Sequence, residues 1–134
     1  MKAVIDTRLL IDSLTREDEQ FKKWAKSILQ TIQIRENLGI VPSIVIHEFY
    51  KLQLQNFGKE VAELRTKSFL NLDLKIVNLD VPIAIQAAKL RCKYPELPTA
   101  DAIIAATAIA TSSDYVLTDD KHIKQIKETK TKWI

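Results

Sequence analysis

A chain of 134 residues, 46% hydrophobic and 28% charged with only 2 glycines and 4 prolines, can bury one core and has little room for linkers. Its formal net charge of +3 is compatible with a polyanionic partner without requiring one. The single cysteine, Cys92, excludes an internal disulfide or a cysteine-based zinc site, and no run approaches the roughly 18 apolar residues of a membrane helix.

The opening "MKAVIDTRLL" meets Asp6 before a signal peptide's apolar region could form, so residues 1–134 are expected to make one cytoplasmic domain. "KAVID" reads as a short buried strand ending at Asp6, and "TRLLIDSL" as a helical start with Leu9, Leu10 and Leu14 apolar. "REDEQFKKWAKSILQTIQIRENLG" places Phe21, Trp24, Ile28 and Ile32 at helical spacing, with acids in the first turn and Asn37 to Gly39 as a stop. "IVPS" is a brief strand closed by Pro42. Ser43 is then expected to cap the helix "IVIHEFYKLQLQNFG", whose apolar face is Ile44, Val45, Phe49 and Leu52 and whose end is Gly58.

"KEVAELRTKSFLN" reads as a further helix and "LDLKIVNL" as a strand. Asp80 caps "VPIAIQAAKLRCKY", where a proline in the first turn is tolerated and Cys92 is expected to lie half-buried. "PELP" breaks the chain before "TADAIIAATAIATS", a helix apolar nearly all round and therefore buried. The strand "DYVLT" and a tail holding a short basic helix and an edge strand complete the chain. Short strands alternating with helices predict an α/β fold, a parallel sheet with helices on both faces.

In such a sheet the ligand crevice lies beyond the carboxyl ends of the strands. Asp6 follows one strand end, Asp119 and Asp120 another, and these ends meet if the two strands are neighbours. Asp101 stands in the first turn of the buried helix, and Glu48 on or beside the apolar face of its own helix. Each acid also has a plain structural use: Asp6 and Asp120 as caps, Asp101 as a first-turn acid, Glu48 at a solvent edge. Four carboxylates in one crevice, however, repel one another unless a cation neutralises them, and oxygen-only ligation points to Mg²⁺ or Mn²⁺.

In the order of its segments the chain resembles the PIN-domain ribonucleases, most closely the short toxins of the VapC type. "VIDTRLLID" is similar to the family's opening strand with the first acid, Asp6, and its hydroxyl neighbour Thr7. "VPSIVIHEFYKL" is similar to the segment with the second acid, Glu48. "LPTADAIIAATAI" is similar to the most distinctive motif, with Asp101 as third acid, and "YVLTDDKHI" to the closing strand with Thr118 and the fourth acid, Asp120. Asp119 is extra, either an auxiliary ligand or a cap; Ile123 stands where an aromatic is usual, and "ATSSD" lacks the usual glycine.

The resemblance implies a PIN-like three-layer fold with a short central parallel sheet, and a Mg²⁺- or Mn²⁺-dependent endoribonuclease. It implies that Asp6, Glu48, Asp101 and Asp120 hold one or two metal ions while Thr118 orients the site, and that water cleaves the RNA phosphodiester without a covalent enzyme intermediate. It further implies a homodimer and a small antitoxin whose tail blocks the acids. Lys121, Lys124 and Lys127, with Lys130 and Lys132 beyond, form either a phosphate-binding set or a solvated charged face, and Arg8 and Lys51 are weaker versions of the same idea. His47 and His122 are expected in surface or packing roles, His47 pointing away from Glu48's side of the helix. Trp24, Phe21 and Ile28 serve the core or an exposed stripe. The rival functions are an RNA-processing nuclease outside a toxin–antitoxin pair, a non-catalytic RNA- or partner-binding module, and a phospho-acceptor receiver domain, which would need a central strand-end aspartate that "LDLKIVNL" does not offer.

Overall fold

Ala3, Val4 and Ile5 have no exposed surface, which is why the first strand reads as an unbroken apolar run: it is covered on both faces. The computed structural model describes residues 1–15, 18–34 and 36–133. Along the chain these form β1 (Lys2–Ile5), α1 (Thr7–Thr15), α2 (Glu19–Thr31), β2 (Leu38–Pro42), α3 (Ser43–Phe57) and α4 (Lys59–Leu70). There follow β3 (Lys75–Val77), α5 (Val81–Lys93), α6 (Thr99–Ala110), β4 (Tyr115–Leu117), α7 (Lys121–Lys124) and β5 (Thr131–Lys132). The strands pair in the order β3-β2-β1-β4-β5, every pair parallel. The expected three-layer α/β architecture is therefore the one observed, with β1 at the centre of a short parallel sheet.

Two apolar cores hold the layers. One packs β1, β2 and β4 against α1, α2 and α3, with Leu9, Ile32, Val45 and Phe49 buried at its middle; Trp24 packs against it and meets Trp133 edge-to-face, ring centroids 4.7 Å apart. The other joins α5 to α6 through Ile83, Leu90, Leu97 and Ala102. Seven consecutive buried residues, Ala102–Ala108, confirm α6 as the buried helix its sequence predicts. No helix among the described residues is long and apolar enough to cross a membrane.

Several boundaries differ from the sequence expectation. The long helix ends at Thr31, well before Asn37, because Asn37 turns its side chain back: its Nδ2 donates to the Thr31 carbonyl at 2.9 Å and its Oδ1 accepts from the Met1 amine at 2.9 Å. The helix's expected start, residues 16 and 17, and Arg35 lie outside the described residues. Gly39 is not a helix stop but a strand residue opposite Ala3, and it is small for a packing reason. A Cβ there would lie 2.5 Å from Leu74 Cδ2 and 2.9 Å from Ile32 Cδ1. Gly39→Ala is expected to cost about 1–3 kcal/mol by overpacking, read as a lower urea midpoint at unchanged m-value.

Ser43 opens α3 rather than capping it. Pro42 is the N-cap and makes no side-chain bond, while Ser43 Oγ accepts from the Leu79 amide at 3.2 Å and ties α3 to the segment after β3. Asp80 does cap α5, its Oδ1 accepting from the Ile83 amide at 3.0 Å. The strand expected over residues 72–79 shortens to an exposed three-residue edge. Cys92 is exposed rather than half-buried, because α5 turns Ile83, Ala87 and Leu90 inward and Cys92 falls outside that stripe.

Candidate active site

The sheet order decides where the acids meet. β1 lies beside β4 with Ile5 opposite Leu117, so the residues that follow, Asp6 and Thr118, leave the same edge together. Thr118, fully buried, donates from Oγ1 to Asp6 Oδ2 at 2.6 Å and accepts at the same oxygen from the Asp120 amide at 3.0 Å. One hydroxyl thus fixes the first acid and the backbone of the last. Asp120 also caps α7, its Oδ1 accepting from the His122 amide at 2.7 Å. Its two readings, cap and site acid, coexist.

The other two acids arrive on helices. Glu48 lies on α3, and Thr7 Oγ1 donates to its Oε1 at 2.8 Å, linking the turn after β1 to that helix. Asp101 occupies the first turn of α6, where the N-cap, Pro98, supplies no side-chain bond and the helix dipole favours an anion. Its carboxyl pKa is nevertheless pushed up to about 7, first by burial and then by the charges of Asp120, Asp6 and Glu48. Burial likewise raises Asp6, reinforced by Asp120 and Glu48, and the Thr118 hydrogen bond only partly opposes it. The structure therefore brings Asp6, Glu48, Asp101 and Asp120 into one electrostatic neighbourhood.

This donor set fits a hard divalent cation. It is all oxygen, the charges of neighbouring acids help raise the Asp6 and Asp101 carboxyls, and a cation would relieve that repulsion. Among the described residues no three Asp, Glu, His or Cys side chains are already closed around a single point.

Residues 3–129 match the family model of the PIN domain.

The chain belongs to the PIN domain family.

No curated protein sequence matches it significantly. Solved structures share the fold over most or all of the chain at low identity. It is similar to VapBC2 from Rickettsia felis bound to a promoter DNA fragment (18% identity, 100% of this chain and 99% of that one, TM-score 0.79). Also similar are a toxin–antitoxin complex from Klebsiella pneumoniae (24%, 95% and 94%, 0.69) and VapC20 of Mycobacterium tuberculosis, a sarcin–ricin loop cleaving toxin (15%, 88% and 89%, 0.70).

Beside the acids of this PIN domain in sequence, Asp119 pairs through its Oδ1 with Lys124 Nζ at 2.8 Å, and the cap of α7 is Asp120. The basic residues do not share one helical face. α7 ends at Lys124, and Lys127 follows a turn in which its amide donates to the Tyr94 hydroxyl at 3.1 Å. Lys132 lies 5.4 Å from the Tyr115 ring centroid. Arg8, Lys51 and Lys121 are exposed.

His47 is exposed, in line with the surface role expected of it. It lines the same groove as Glu48, together with Lys51 and the start of α6. Adjacent helical residues diverge by about 100°, and a groove running along that face still takes in both.

Proposed function

We propose that this PIN domain is a metal-dependent endoribonuclease, a hydrolase of RNA phosphodiester bonds, and the toxin of a VapBC-like toxin–antitoxin pair acting in the cytosol. The observation that carries the reading is the convergence of Asp6, Glu48, Asp101 and Asp120, with two carboxyls pushed upward by burial and then by their neighbours' charges. Anionic side chains alone would repel an RNA phosphate, so the acids make sense as a cation seat beside the scissile bond.

These four residues would hold one or two Mg²⁺ or Mn²⁺ ions, with Asp119 in reserve only if its pair with Lys124 opens. The bound metal would supply Lewis-acid charge that activates water and stabilises the phosphoryl transition state. Thr118 holds Asp6 in one orientation and Thr7 does the same for Glu48, so neither acid reorganises as charge develops. Arg8, Lys51, Lys121, Lys124 and Lys127 would contact flanking phosphates.

Two surfaces support partners. An apolar groove of about 330 Å³, lined by Leu10, Leu14, Leu29, Leu64 and Phe69 between α1, α2 and α4, suits an amphipathic antitoxin segment, and the Klebsiella pneumoniae relative was solved as a toxin–antitoxin complex. Ile76, Leu79, Val81 and Ile85 leave 40–71% of their surface exposed at β3 and the start of α5, a face suited to a homodimer.

The test is cleavage of single-stranded and structured RNAs by the purified chain in Mg²⁺, Mn²⁺ or EDTA. Cutting that needs the metal is the expected result. Metal-independent cutting would overturn the mechanism, and tight RNA binding without cutting would favour a non-catalytic binding module. Cutting without any antitoxin gene beside this one would favour an RNA-processing role.

A further inference from the structure

Glu48 shares its helix face with residues that the acid site does not use. Ile44, His47, Glu48, Lys51 and Leu52 stand at i, i+3, i+4, i+7 and i+8 of α3, which puts them on one stripe. With Thr99 and Ala100 at the start of α6, this stripe lines a groove of about 320 Å³, within the range of small-ligand sites. The groove meets the acid site at Glu48, which lines it and interacts electrostatically with Asp101. Its apolar side is Ile44 and Leu52, and its rim carries the exposed His47 and Lys51.

We propose that this groove seats the base of one unpaired nucleotide next to the scissile phosphate of a single-stranded RNA. In that seat His47 stacks on the base and Lys51 holds the adjoining phosphate. The inference rests on the ribonuclease reading above and adds the determinant of sequence preference. A phosphate at the four acids leaves its neighbouring nucleotide over this groove, because Glu48 belongs to both. A flat aromatic base covers Ile44 and Leu52 and meets the imidazole face, whereas a purely aliphatic occupant would bring nothing to Lys51. A paired base cannot enter, since a helix keeps its bases stacked and turned inward; RNA is read by sequence mainly where bases are splayed onto aromatic or planar side chains.

The experiment uses the full chain with Mg²⁺ and a pool of single-stranded RNAs randomised in their centre. Cut products are sequenced, bound RNA is sequenced in parallel, and KM and kcat are then measured on the best substrate. Wild type is expected to prefer particular bases at one position beside the cut. His47→Ala is expected to lose that preference and to raise KM by about tenfold, the scale of one stacked base, more than it lowers kcat. His47→Phe, which keeps a stacking face, is expected to restore KM; Lys51→Ala raises KM with the base preference intact. If wild type cuts RNA and His47→Ala keeps the same preference and KM, the base seat is overturned while the nuclease stands. If the bound pool shows the His47-dependent preference but no RNA is cut, the nuclease reading fails and the seat stands. A pool neither bound nor cut overturns both.

Discussion

Asp101→Asn is expected to lower RNA cleavage by on the order of 10³-fold while making the metal-free protein more stable near and above neutral pH. The two effects have one cause. In the folded protein the Asp101 carboxyl titrates near 7 against an ordinary 3.8, because burial and the charges of Asp120, Asp6 and Glu48 disfavour its anion. Between those values the folded state binds more protons than the unfolded chain, so the stability contribution is fully present below about pH 3.8 and is lost as pH rises through about 7. Asp6, raised for the same reason, acts in the same direction. Asparagine cannot ionise, so the variant is expected to escape much of this decline and to melt a few degrees higher than wild type at mildly alkaline pH. Added Mg²⁺ is expected to reverse the order, stabilising wild type by mass action and the variant far less. Thermal unfolding across the pH range, with and without Mg²⁺, checks both halves. A variant that is less stable without metal at alkaline pH, or that cleaves RNA as wild type does, refutes the account.

Where each acid stands in its element was legible in the sequence; that they meet was not. Asp6 and Asp120 each follow an apolar strand and Asp101 interrupts an apolar helix, all local patterns. Their convergence depends on β1 lying beside β4, a pairing between residues more than a hundred positions apart that no local window contains. The family resemblance supplied what periodicity could not. The helix boundaries failed where a side chain decided them: Asn37 closing the Thr31 carbonyl, Gly39 making room for Leu74, Ser43 reaching Leu79 instead of its own helix. Each of those residue types has several common uses, and only the tertiary neighbour selects among them. The groove that takes in both His47 and Glu48 is completed by α6, which the spacing along α3 does not reveal.

Thr118→Val keeps the shape of a fully buried side chain and removes one hydroxyl, which here serves two partners. Without it Asp6 Oδ2 and the Asp120 amide both lose a hydrogen bond inside the protein, at a cost of about 1–3 kcal/mol for each group left without another partner. The Thr118 bond is also what holds down the Asp6 pKa against burial and its acidic neighbours, so its loss pushes that carboxyl further upward. A more protonated Asp6 competes less well for a cation at neutral pH. The variant is therefore expected to need more Mg²⁺ for half-maximal cleavage, to lose activity about 10- to 100-fold at fixed Mg²⁺, and to recover part of it as pH rises. Thr118→Ser, which restores the donor and acceptor but not the methyl group, is expected to regain the wild-type pH profile and Mg²⁺ requirement even if slightly less stable. A purely structural role predicts another pattern: both variants would lose activity in proportion to lost stability, with no shift in the pH profile or in the Mg²⁺ requirement. Measuring cleavage against pH and Mg²⁺ for the three proteins separates a threonine that packs from one that sets the charge state of its neighbouring acid.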